Sequence, residues 1–349
     1  MAIGDALLAR ARDIPVRRAG RSTRWTTVGL GLVVVVLAYL PYVAYTTVTD
    51  RLVDFLMLLT MATMWNLLAG YAGLVSVGQQ AYVGLGAYAV LQLSDWGVQP
   101  YLGVLLAAAV CTVIALPTSL LAFRLRGDYF AVGTWVIAEV YRLLIVRDGD
   151  LGGGSGRSLT TLSGLDHTLR EALTYWVALA VAVLALLGCY LLLRSRLGLA
   201  LTSVRDNETA ARSAGVDVRR AKRVVYLVSA AGCGSAGGVL LVSSLNVHPD
   251  TAFSVQWSAY MIFIAVIGGI GYLEGAIVGS IVFFAVQEIF ANYGSWYLIL
   301  LGALAVIGAV WLPRGLWGEL RARTGAQLFP LRYRVDTPVT AATPVPVER

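Results

Sequence analysis

Apolar residues run along this chain in long blocks, separated by short polar stretches in which arginine and glycine gather. Blocks close to the roughly 20 residues that carry a helix across a bilayer recur down the sequence. They predict ten membrane helices, at residues 25–46, 52–68, 74–93, 101–123, 129–146, 173–193, 224–245, 257–270, 275–289 and 296–312. The first block follows a basic stretch, as a signal peptide does. It is too long for one and no small-residue cleavage site follows it, so it is expected to stay as a transmembrane helix.

Composition agrees with the pattern. Hydrophobic residues make up 58% of the 349 and charged residues 13%, where soluble domains carry about 25% charge. An ordinary soluble enzyme is excluded, and the fold class expected is an all-α polytopic membrane protein. The net charge of +7 could suggest nucleic acid, but the cations fall in alternate connections, chiefly around residues 10–24, 124–126, 194–223 and 314–334. That is the positive-inside pattern, and it puts both termini in the cytoplasm and implies contact with lipid rather than nucleic acid. The expected division is a basic N-terminus (1–24), a transmembrane domain (25–312) that includes a cytoplasmic loop (194–223), and a basic, partly disordered tail (313–349). Cys111, Cys189 and Cys233 lie inside apolar blocks without metal-ligand spacing and read as small buried hydrophobes.

Three groups of residues could carry chemistry. In the loop, Asp206 is placed to cap a short helix, with Glu208 in its first turn, Ala210 and Ala211 forming a smooth face and Gly215 as a left-handed stop. Asp217 can then cap a second helix bearing Arg219, Arg220 and Lys222. An ordinary basic loop is the alternative. The second group is glycine: Gly73, Gly78, Gly84 and Gly86 interrupt one block, and Gly268, Gly269, Gly271, Gly275 and Gly279 another. Paired interruptions of this kind mark translocation paths in transporters, although close packing of small residues, as in the repeat Ala230, Gly234 and Gly238, also accounts for such stripes. Gln79 and Gln80 add two adjacent amides that need partners inside a membrane, so with Gly73, Gly78, Gly84, Gly268, Gly269 and Gly271 they form the candidate path. Third, Glu139 and Arg142 stand three apart on one helix face, the spacing of a buried structural ion pair, with a gating or substrate role as the alternative.

Here the sequence resembles a family. Residues 203–222, SVRDNETAARSAGVDVRRAK, resemble the E-A-A…G loop of ABC importer permeases in the version found in branched-chain amino acid permeases of the LivM type. GLVSVGQQAYVGLGAY (73–88), RLRGDYFAVGTWVIAEVYRLL (124–144) and IGGIGYLEGAIVG (267–279) agree in the family's order, so the resemblance covers about residues 52–312. It implies a non-catalytic, multi-pass subunit of the bacterial inner membrane that passes neutral, apolar amino acids. Arg205, Asp206, Glu208, Ala210, Ala211 and Gly215 would couple it to ATP hydrolysis. The implied partners are a homologous second permease, two ABC ATPase subunits that use ATP and Mg, and an extracytoplasmic amino-acid-binding protein, with no cofactor on this chain. The family carries His or Gln at the position of Gln79 and a small residue at that of Gln80. Glu274 also departs from the family, and Glu288 matches a family acid with no partner visible in the sequence.

Relatives importing urea, amides or a sugar remain alternatives, as does a secondary transporter using Glu139 or Glu288 for ion coupling. The run Gly153, Gly154, Ser155, Gly156 also spells the G-x-S-G of intramembrane serine proteases. Ser155 and both histidines, His167 and His248, fall in expected outer loops, so this match is read as chance. No P-loop is present, which sends ATP hydrolysis to another chain.

Overall fold

The computed structural model describes residues 16–17, 21–43, 45–125, 127–162, 164–290, 296–324, 328–329 and 334–335. Every expected block overlaps a helix, the first and third only in part: α1 (Arg21–Tyr39), α2 (Thr46–Asn66), α3 (Gln80–Asp95), α4 (Pro100–Ala122), α5 (Asp128–Arg147), α6 (His167–Arg194), α9 (Val218–Ser244), α11 (Val255–Gly268), α12 (Leu273–Phe290) and α13 (Trp296–Trp311). Between them lie α7 (Arg196–Asp206), α8 (Glu208–Ser213) and α10 (Pro249–Ala252), and α14 (Gly315–Thr324) follows. Two short antiparallel pairs, Val16–Arg17 with Arg334–Val335 and Arg157–Ser158 with Asn246–Val247, tie loops together.

Eight of the described helices are long and apolar enough to cross a membrane. The third block differs from a plain span. Its 16-residue helix α3 rises about 24 Å, short of the roughly 30 Å hydrocarbon layer, and residues 73–79 before it are irregular although mostly buried. Irregular backbone at such depth survives only where protein satisfies it. Here the Thr134 hydroxyl accepts Val77 N–H at 3.3 Å, the Ser76 hydroxyl accepts Gly78 N–H at 3.2 Å, and Trp65 Nε1 donates to Ser76 O at 2.8 Å.

α2 and α9 form the centre. α9 packs against α2, α3, α4 and α6, while α11 and α12 cover another side of α2. The contact is close because the facing residues are small. A Cβ on Gly234 would stand 2.5 Å from Cys111 Sγ, and one on Gly86 only 2.0 Å from Gly234 O. Tyr82 and Tyr226 share a hydroxyl hydrogen bond of 2.9 Å across the α3–α9 contact, and all three cysteines are buried. α14 occupies part of the expected tail and packs on α11 and α12. The expected disorder beyond Val335 and the N-terminal segment 1–15 lie outside the described residues.

Candidate coupling and translocation site

The loop 194–223 carries one helix more than the two expected, α7 before α8 and the start of α9. The Ser195 hydroxyl accepts Leu197 N–H at the start of α7, and Asp217 accepts Arg220 N–H at 2.9 Å at the start of α9. The cap of α8 is Asn207, whose side chain accepts Ala210 N–H at 3.0 Å, and not Asp206. Asp206 is still the last helical residue of α7, whereas Asn207 has the extended backbone (φ −158°, ψ 106°) that a cap requires. Asp206 instead pairs with Arg205 at 2.9 Å. The two alanines do not share a face: Ala211 is buried with Val204 and Val218, and Ala210 points outward. Gly215 has φ +84° with open space around it, so its backbone conformation alone requires glycine.

Glu208 holds this element to α9. Its carboxylate pairs with Lys222 and with Arg212, each at 2.6 Å. The Lys222 ammonium, and after it the Arg212 guanidinium, keep the carboxyl below the usual range.

From the end of α7, Arg205 reaches into the membrane domain. Its Nη1 donates to Gly70 O at 3.2 Å. Gly70 belongs to a π-helical turn, Leu67–Tyr71, that extends α2, and such turns recur at functional sites. The turn meets the break between α11 and α12. Asn66 clamps the two, accepting Gly271 N–H at 2.9 Å and donating to Tyr272 O at 2.7 Å. A Cβ on Gly70 would fall 2.4 Å from Gly271 N, so the backbones touch because neither residue has a side chain. Gly73 lies beside Arg205, its Cβ direction ending 3.8 Å from Arg205 Cα. A cavity of about 480 Å³ opens at this junction between Arg205, Gly271, Tyr272, Glu274 and Arg321. A second, of about 670 Å³, runs from Gly73 to Glu208 and Lys222.

The remaining path residues separate by role. Gln79 accepts the Ser229 hydroxyl of α9 at 3.1 Å, and Gln80 accepts the Ser258 hydroxyl of α11. Both amides are buried and tie the start of α3 to two neighbours. Gly78 lies against Thr134 O, Gly84 against the Phe253 ring, Gly268 against Gly275 O and Gly269 against Arg314 O, each at distances that leave no room for a Cβ. These four are packing contacts in this structure.

The ionisable residues differ from the reading given by spacing. Glu139 and Arg142 do pair, at 2.6 Å, but the side chains are 47% and 24% exposed, so the pair is not buried inside the chain. Arg142 also binds Asp250 at 2.6 Å, a partner 108 residues away that spacing could not supply. Glu288 pairs with Arg51 at 3.5 Å. Glu274, buried in the first turn of α12, accepts Phe329 N–H at 2.8 Å. The Ser155 hydroxyl donates to Gly152 O at 2.9 Å.

A largely helical fold with eight described helices long and apolar enough to cross a membrane, joined to the 194–223 loop through Arg205 and Gly70, is that of a multi-pass membrane protein. The chain belongs to the family described as branched-chain amino acid transport system, permease component, whose model matches residues 47–309. It is therefore a multi-pass protein of the cell membrane. It is similar to the high-affinity branched-chain amino acid transport system permease protein LivM of Escherichia coli K12, with 30% identity over 75% of this chain and 68% of that protein. A probable branched-chain amino acid transport permease protein LivH of Methanocaldococcus jannaschii is 27% identical over 62% of this chain and 71% of its own length. The fructose import permease protein FruG of Bifidobacterium longum is 22% identical over 73% and 78%. No solved structure matches the chain.

Proposed function

We propose that this chain is the membrane-spanning, non-catalytic permease subunit of an ATP-driven importer of branched-chain, neutral apolar amino acids in the bacterial inner membrane. An extracytoplasmic binding protein delivers the solute, and a homologous second permease completes the path. Two ATPase subunits, using ATP and Mg, dock on the α7–α8 element. The observation that carries this reading is the Arg205–Gly70 hydrogen bond, because it joins that element to the place where the π-turn after α2 meets the α11–α12 break. Closure of the ATPase pair would pull α8 with it and shift both broken segments together, which is alternating access driven from outside the membrane. Likeness to the fructose permease favours a sugar as the second reading of the substrate.

The test is purification of the chain from its native membrane in mild detergent, with mass spectrometry of what stays bound and an uptake assay on the intact complex. Two P-loop ATPases and a homologous permease are expected, with leucine-type uptake rather than sugar uptake. Glu208→Arg, which sets a third cation beside Arg212 and Lys222, is expected to lose the ATPases while inserting normally. Isolation of the chain alone, with transport in liposomes lacking an ATPase, would remove this reading in favour of a secondary transporter.

A further inference from the structure

The Glu139 cluster sits where a membrane helix has difficulty holding it. Glu139 lies a little past the middle of the 20-residue α5, about 17 Å of helical rise from Asp128. Its half-exposed side chain pairs with Arg142, on a face shared with exposed Trp135, Val136, Val140 and Leu143. Charges near mid-bilayer are costly and face water-filled space or protein rather than lipid. Among the described residues, the short helix α10 reaches the cluster, through Asp250, and leaves the Glu139 side chain half exposed. The opposite face of α5 seats the irregular segment 73–79, through the Thr134 contacts to Ser76, Val77 and Gly78, and that segment begins beside Arg205.

Building on the functional reading above, we propose that Glu139, Arg142 and Asp250 form a charged station on a water-filled path along the outward face of α5, where a zwitterionic amino acid exchanges partners with them. Arg142 donates to the solute carboxylate, and Glu139 and Asp250 accept from its ammonium. The mixed signs fit a zwitterion, whereas a neutral sugar would leave them paired with each other. Because Arg142 already holds two carboxylates at 2.6 Å, a passing zwitterion replaces ion pairs rather than leaving a bare charge, which keeps the site shallow enough to release its cargo.

Thiol labelling tests the wet face directly, since all three native cysteines are buried and give little background. In membranes holding the whole complex, Glu139→Cys is expected to react with a small hydrophilic thiol reagent at least tenfold faster than Leu184→Cys, an exposed position on α6. Equal, slow reaction at both would overturn the proposal. In uptake assays, Glu139→Gln and Arg142→Gln are each expected to lower the maximal rate more than tenfold, and the double variant Glu139→Gln/Arg142→Gln to stay low. Recovery of uptake in the double variant would show that the pair only neutralises itself and would equally overturn the proposal. A wild-type complex that moves no amino acid overturns the broader functional reading and this cargo with it, whereas amino acid uptake combined with slow labelling of Glu139→Cys overturns this proposal alone.

Discussion

α2 with its π-turn and α5 are nearly equal as sequences and opposite as structures. Their most apolar stretches have mean hydropathies of 1.7 and 1.5, yet 83% of the first is buried within the chain and 17% of the second. Hydropathy reports transfer from water and is blind to whether lipid or protein receives the helix. The difference lies in what each can press against. α2 ends in Asn66 and Gly70, an amide that bridges two backbone groups and a residue small enough for backbone contact, so it can sit among α6, α9, α11 and α12. α5 presents Trp135, Val136 and Glu139 outward and keeps only its Phe130, Thr134 and Ala138 face for the chain.

The largest effect is expected at the inner helix. Gly70→Leu drives a side chain into the Gly271 backbone and should cost about 3 kcal/mol or more, seen as loss of monodisperse protein on gel filtration. A protein that stays folded would show that the junction is looser than the contact distances imply. Asn66→Ala removes two hydrogen bonds at the same junction and should destabilise by about 2 kcal/mol, measured as a lowered thermal midpoint in detergent. Arg205→Ala leaves the membrane core intact but cuts the link to Gly70. Uptake is expected to fall about tenfold, equivalent to about 1.4 kcal/mol, with normal ATPase binding, and unchanged uptake would separate the α7–α8 element from the junction.

A smaller, pH-dependent effect belongs to α8. Because Lys222 and Arg212 lower the Glu208 pKa, its contribution is full above the unfolded value of about 4.3 and disappears as pH falls through the lower folded value. Hydrogen-exchange protection of α8 should therefore be level from pH 6 to 8 and drop only in acid, and Glu208→Gln should abolish that dependence. The smallest effect is expected on α5, where Val140→Leu should stay within about 0.5 kcal/mol of wild type. A large loss there would mean that a partner packs against this position tightly enough to resist one added carbon.

Legibility followed the range of the interaction. The apolar blocks, the Asp217 cap, the Gly215 stop and the Glu139–Arg142 pair are all contacts within four residues, and each was readable from spacing. Local reading still slipped by one residue at Asp206, because several polar residues in a row can cap and only the backbone angle selects Asn207. It also gave Ala210 and Ala211 one face, although adjacent helical residues diverge by about 100°. Gln79 donates locally to Ser76 at 3.5 Å, but its Ser229 partner and the partners of Glu288, Glu274 and Gln80 are distant in the chain, and nothing local to those residues names them.

By itself the sequence determined that this chain lives in a membrane, roughly where its long apolar helices fall, which family it joins and which loop resembles a coupling element, since all of these follow from hydrophobic period, charge placement and short motifs. Only the tertiary structure decided that Gly70 and Gly271 touch, that Arg205 connects the loop to them, and that the Glu139 pair faces outward. Those facts depend on which helix faces meet, and helices of equal hydropathy are sorted by the fit of small residues and the pairing of buried polar groups, which are properties of two surfaces together rather than of either segment.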